Sequence, residues 1–143
     1  MSESGKGGPV VLIMAGSESD RHVVEKAEKV LRDAGVTYEF EVASAHRSPE
    51  RVAELAREAE GRGVKVVIAA AGLAAALPGV VAAHSRLPVI GLPVAAGALK
   101  GVDALLAIAQ MPPGVPVAAV GIDAGANAAH LALRILGLSS TGE

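Results

Sequence analysis

A histidine and an arginine stand side by side at His46-Arg47, with Ser44 and Ser48 around them, between a segment that reads as a strand and one that reads as a helix. Imidazole exchanges a proton near neutral pH, and guanidinium grips a carboxylate or phosphate through its planar fork, so the pair suits proton transfer on an anionic substrate. A second cluster, Gly16-Ser17-Glu18-Ser19-Asp20, follows an apolar run. Free backbone N–H groups at a strand-to-helix turn favour an anion, and the hydroxyls of Ser17 and Ser19 can add hydrogen bonds. Asp20 argues against a phosphate lying directly on it and better suits ribose hydroxyls. Each residue also has a purely structural reading. Ser19 or Asp20 can cap a helix, His46 can be a polar cap, and Arg47 can be solvated. His22, His84 and His130 fall on expected helices and read as structural.

The elements that must position these groups follow from periodicity. Residues 10–14 are almost wholly apolar, as in a parallel strand covered on both faces. Val23, Val24, Ala27, Val30, Leu31 and Ala34 then mark one face of a helix closed by Gly35. Residues 38–43 read as a second strand, and Ser48-Pro49-Glu50 supplies an N-cap, an N1 proline and a first-turn acid to a second helix. The alternation continues with strands at 64–71, 88–92 and 115–122. Helices are predicted at about 75–85, 102–109 and 126–136, the last ending at Gly137. This rhythm predicts an α/β fold, a three-layer α/β/α sandwich with a five-stranded parallel sheet in the flavodoxin-like order 2-1-3-4-5. The loops after strands 1, 2 and 3, carrying residues 16–20, 44–48 and 72–79, then converge on one crevice. The expected organisation is a disordered N-terminal tail over 1–8, one catalytic domain over 9–138 and a C-terminal tail over 139–143.

Composition removes several classes of function. The 143 residues fit one domain, and a net charge of −2 with no basic run offers no footprint for nucleic acid. One Tyr, one Phe and no Trp leave no aromatic platform for base stacking. Without cysteine there is no disulfide, thiolate nucleophile or Cys-ligated metal, and the four His show no zinc-site spacing, so no metal is expected. Residues 66–83 are uncharged, but Gly72 and Pro78-Gly79 interrupt them, so they read as strand, turn and helix rather than a membrane span. Residues 1–8 lack the apolar core of a signal peptide, and a cytoplasmic location is expected. The small-residue apolar excess is expected to pack against other subunits.

Five blocks together resemble the mutase/carboxylase family of purine biosynthesis that makes 4-carboxy-5-aminoimidazole ribonucleotide. They are residues 16–20, Ser44-Ala45-His46-Arg47-Ser48-Pro49, Leu77-Pro78-Gly79, the run 87–94 and the run 110–117, in order across residues 10 to 137. The resemblance implies a homo-octamer with active sites near subunit boundaries and no metal or organic cofactor. It also implies transfer of a carboxyl group from the exocyclic amine of N5-carboxyaminoimidazole ribonucleotide to ring carbon 4, through decarboxylation and recapture of carbon dioxide. By matched position, Ser17, Asp20 and Arg47 would bind the ribose phosphate and His46 would manage the protons. Ser19 would assist the anion, and Ser44, Gly72 and Leu77 would line the pocket. One position departs from the bacterial mutases, where a His is expected immediately before Leu-Pro-Gly. Here it is Ala76. That departure keeps a direct aminoimidazole ribonucleotide carboxylase as an alternative, and a catalytically silent nucleotide-binding or assembly module as a third reading.

Overall fold

The computed structural model describes residues 8–141. Five parallel strands form one sheet in the order β2-β1-β3-β4-β5. They are β1 (Val11–Ala15), β2 (Tyr38–Val42), β3 (Val66–Gly72), β4 (Val89–Val94) and β5 (Ala118–Ala119). The helices between and after them are α1 (Arg21–Asp33), α2 (Pro49–Ala59), α3 (Leu77–His84), α4 (Val102–Ala109) and α5 (Gly125–Thr141). The chain leaves β1 toward β2 and then crosses back to β3. Right-handed crossovers in the two directions put the helices on opposite faces.

The packing follows that split. Val11, Ile13 and Ala15 of β1 share a core with Val23, Val24, Ala27 and Leu31 of α1 and Ala128, Ala129 and Ala132 of α5. Leu12 and Met14, pointing the other way, share a core with Val52, Leu55 and Ala56 of α2, Val81 of α3 and Ile108 of α4. All five residues of β1 are fully buried, because both faces of the strand are covered. At about 25 cal/mol per Å² of apolar area, this two-sided burial is the main favourable term holding the sheet.

Several boundaries differ from the sequence-based expectation, each for a local reason. Helix α3 starts at Leu77 rather than near Ala75, because Ala75 takes a left-handed backbone with φ 47°. Strand β4 extends past residue 92 to Val94, pairing Ala71 with Pro93 and Gly72 with Val94. Strand β5 is reduced to two residues, pairing Ile90 with Ala118 and Gly91 with Ala119. Pro116 has no N–H to add to an edge ladder. Helix α5 passes through Gly137 and ends at Thr141, so the expected C-terminal tail from residue 139 is helical as far as 141. A glycine inside a helix costs only about 1 kcal/mol and does not by itself end one. Residues 1–7 and 142–143 of the expected tails lie outside the described residues. No helix among the described residues is long and apolar enough to cross a membrane.

Helix α5 begins in close contact with the backbone of α1. A Cβ added at Gly125 would run into the Val23 carbonyl oxygen and lie 3.1 Å from the Lys26 Cβ. Neither backbone can yield cheaply, so Gly125→Ala is expected to cost about 1–3 kcal/mol. Urea unfolding of the variant beside the parent measures this, and equal stability would refute the close approach.

Candidate active site

The order reversal leaves a crevice beyond the C-terminal ends of β1 and β3, where open α/β sheets place their ligands. Strand β1 ends as the Gly16 N–H donates to the Ala70 carbonyl at 3.1 Å. Ser17 is extended (φ −156°, ψ 150°) and caps a 3₁₀ turn over Glu18–Asp20, its Oγ accepting the Ser19 N–H at 3.1 Å. The Ser17 and Ser19 hydroxyls also lie 2.9 Å apart, within hydrogen-bond reach. Ser17 therefore caps the 3₁₀ turn through its side chain, whereas Asp20 holds the N-cap position of α1 without a side-chain cap bond. Glu18 turns away and binds the Arg21 fork at 2.9 and 3.0 Å. His22 Nδ1 lies 3.0 Å from the Ser19 carbonyl, and His84 Nδ1 lies 3.0 Å from the Val80 carbonyl.

The second loop is a compact turn. The Ala43 N–H bonds the Ala15 carbonyl at 2.9 Å, and Ser44 Oγ accepts the Arg47 N–H at 3.1 Å. Ser48 makes no side-chain cap bond, so α2 opens on Pro49 alone. The turn is tied down through its backbone while the side chains of His46 and Arg47 stay exposed. Among the described residues neither side chain has a hydrogen-bond or ion-pair partner. Both are available to a ligand.

The third loop closes the other side. A Cβ at Gly72 would lie 3.2 Å from both the Ala96 Cβ and the Val94 carbonyl oxygen, so a side chain there would push these neighbours back by a few tenths of an ångström. The Ala75 N–H bonds the Gly72 carbonyl at 2.9 Å, and buried Leu77 opens α3. The three loops enclose a cleft of about 480 Å³. Ser17, Ser19, Asp20, Ser44, His46, Arg47, Gly72 and Leu77, all the residues singled out from sequence, line it together. Sequence reasoning missed Ala71 and Ala96 on the same surface. Methyl groups carry no chemical motif, and Ala96 comes from the loop after β4, which the switch-point argument had not included.

The cleft thus has two unlike walls. Hydroxyls, a carboxyl, an imidazole and a guanidinium line one, and small apolar groups from the loops after β3 and β4 line the other. A cavity of similar size, about 470 Å³, lies near the start of β4. Its ionisable side chain, Arg86, is paired with Glu60 at 3.1 Å. The imidazole of His46 and the guanidinium of Arg47 lie in the first cleft.

Asp20 is only 6% exposed. Burial pushes its carboxyl above the ordinary 3.8, with the Ser17 backbone hydrogen bond and His22 pulling against the rise and Asp123 adding to it. The fold therefore favours the protonated acid more than the unfolded chain does, and an incoming hydroxyl donor would favour the charged form.

Fold and cleft define an open α/β protein whose switch point gathers hydroxyls, a carboxyl, an imidazole and a guanidinium. The chain belongs to the AIR carboxylase family, whose sequence model matches residues 10–142. It is 58% identical over 132 residues to the N5-carboxyaminoimidazole ribonucleotide mutase of Pyrococcus abyssi, covering 92% of this chain and 76% of that one. It is 52% identical over 132 residues to the phosphoribosylaminoimidazole carboxylase of Candida albicans, covering 92% of this chain but 23% of that longer one. The crystal structure of Treponema denticola PurE superposes with a TM-score of 0.82 at 34% identity, covering 91% of this chain and 81% of that one.

Because the folded-state pKa of Asp20 is raised, its contribution to stability is full below about 3.8 and is lost as pH rises through the folded value. Asp20→Asn removes that loss. The stability of the variant relative to the parent should therefore climb with pH above 3.8 and then level off. Urea titrations from acid to neutral pH read the effect directly, and a pH-independent difference between the two proteins would contradict it.

Proposed function

We propose that this protein converts N5-carboxyaminoimidazole ribonucleotide to 4-carboxy-5-aminoimidazole ribonucleotide, a carboxyl-transferring mutase of purine biosynthesis. The observation that carries the reading is the convergence of His46 and Arg47 with Ser17, Ser19 and Asp20 around one cleft, in a chain of this family. Arg47 and the serine hydroxyls hold the phosphate, and Asp20 meets the ribose hydroxyls. Ser44, Gly72 and Leu77 shape the pocket around the base.

The proton balance explains why one imidazole suffices. As carbon dioxide leaves the exocyclic nitrogen, the electron pair of the broken N–C bond takes up a proton. Ring carbon 4 then bonds to the carbon dioxide and must lose its hydrogen as a proton. One proton is given and one taken, so His46 acts first as acid and then as base, and ends in its starting state. The apolar wall keeps water from the carbon dioxide between the two steps. No organic cofactor is required by this sequence of steps.

Ala76 supports a second reading, direct carboxylation of aminoimidazole ribonucleotide with carbon dioxide. Its methyl lines the cleft where a mutase of this family is expected to present an imidazole. The same protonic role for His46 serves that reaction. A homo-octamer in the cytoplasm completes the proposal. The exposure of Leu99 in the turn before α4, and of Val102 and Leu106 on the helix itself, at 60%, 50% and 56%, favours assembly, because so apolar a surface is poorly suited to water.

Supplying N5-carboxyaminoimidazole ribonucleotide, or aminoimidazole ribonucleotide with bicarbonate, and following the C4-carboxylated product tests the function. Turnover of the first compound alone establishes the mutase, bicarbonate-dependent turnover of the second the carboxylase, and binding without product a silent module. His46→Asn should keep ligand binding and lose turnover by about 100-fold or more. Arg47→Ala should chiefly weaken binding of ribose 5-phosphate compounds, by about 10-fold or more. Either variant matching the parent would remove that residue from its role. Sedimentation of the purified protein should give a mass eight times that of the chain, and a monomer at micromolar concentration would end the assembly proposal.

A further inference from the structure

All four non-glycine residues with left-handed backbone among the described residues lie in loops at the C-terminal rim of the sheet. Leu73 (φ 56°) and Ala75 (φ 47°) follow β3, Lys100 (φ 52°) follows β4 and Asp123 (φ 59°) follows β5. Such backbone is costly for residues with a side chain and persists only where surrounding contacts over-determine it. The contacts that do so run from Asp123 to the cleft. Asp123 Oδ1 accepts the Ala95 N–H at 2.9 Å, its own N–H donates to the Pro93 carbonyl at 2.8 Å, and its carbonyl accepts from Lys26 Nζ at 3.1 Å. One residue thus ties the end of β4 to α1.

The loop held in this way presses on the next. Ala96 stands against Gly72, and the Leu73 side chain lies over Gly97, its Cδ2 2.8 Å from where a Cβ would be. Gly72, Leu73 and Ala96 line the cleft, whereas Asp123 does not. We propose that Asp123 is a positioning residue: by accepting the Ala95 N–H it clamps the loop after β4 against Gly72 and Leu73, and so sets the apolar wall at which the reacting end of the substrate is aligned. The kinetic part of this proposal rests on the carboxyl-transfer reading, and the mechanical part does not. Ser17, Ser19 and Arg47, which hold the anion, stand on the loops after β1 and β2, outside the clamp. Loosening the wall should therefore lower kcat more than it raises KM.

Hydrogen–deuterium exchange and steady-state turnover on the parent, Asp123→Ala, Asp123→Asn and Gly97→Ala test the clamp. Asp123→Ala should speed amide exchange over residues 72–76 and 95–99 by about 10-fold. It should lower kcat about 10- to 100-fold while KM stays within about 3-fold. Asp123→Asn keeps the acceptor and tolerates the left-handed backbone, so it should remain near the parent in both measurements. Gly97→Ala, which drives Leu73 off its seat at a position of φ 70°, should reproduce the kcat loss without touching Asp123. Unchanged exchange over 72–76 in Asp123→Ala, or an Asp123→Asn as impaired as Asp123→Ala, would overturn the proposal. If Asp123→Ala does not fold, unchanged exchange over 72–76 in Gly97→Ala overturns it in its place. A parent that turns over neither ribonucleotide refutes the carboxyl-transfer reading, and the exchange results still decide the clamp.

Discussion

The handedness of the crossovers on either side of β1 is the constraint on which the molecule depends. A right-twisted strand followed by a right-handed helix packs back on its sheet in one way only. Going from β1 to β2 in one direction and from β2 to β3 in the other therefore sends α1 and α2 to opposite faces. Their first turns diverge, and the strand ends between them are left uncovered. The crevice is a by-product of burying both faces of the sheet, and the catalytic candidates occupy the gap that packing cannot close.

The cleft that results joins two kinds of chemistry. Its polar wall comes from turns whose backbones are hydrogen-bonded internally, which leaves the imidazole of His46 and the guanidinium of Arg47 free to meet a ligand. Its other wall, from Ala71 through Leu77 with Ala96, offers methyl groups and backbone. In the proposed reaction the first would hold the charged ribonucleotide and the second would keep carbon dioxide from water. The buried carboxyl of Asp20 lies between electrostatic extremes, raised by desolvation and by Asp123 and lowered by its hydrogen bond. Burial costs the empty protein stability at neutral pH and prepares a site that a hydroxyl-bearing ligand can satisfy.

Much of this was legible in the residues. The apolar run at 10–14 read as a strand covered on both faces and the stripe ending before Gly35 as an amphipathic helix, and β1 and α1 lie there within a residue or so. Glycine and hydroxyl clusters after the first three strands marked the turns that line the cleft. Boundaries were less legible where local preference met tertiary demand. Ala75 is a good helix former, yet the turn that closes on Gly72 holds it in a left-handed backbone. Gly137 signals a helix end, yet α5 runs through it. Strand β5 has the apolar residues of a longer strand, but Pro116 and its edge position leave it two paired residues.

From the sequence alone came the element order, the parallel sheet, the switch point and every polar residue of the cleft, because periodicity, turn chemistry and crossover handedness are properties of the chain read locally. Only the tertiary structure decided which backbones touch: Gly72 against Ala96, Leu73 over Gly97, and Asp123 fastening a loop 28 residues away in sequence. Contacts of that kind depend on strand spacing and helix placement to within an ångström, and no pattern of residue types along the chain encodes a distance so fine.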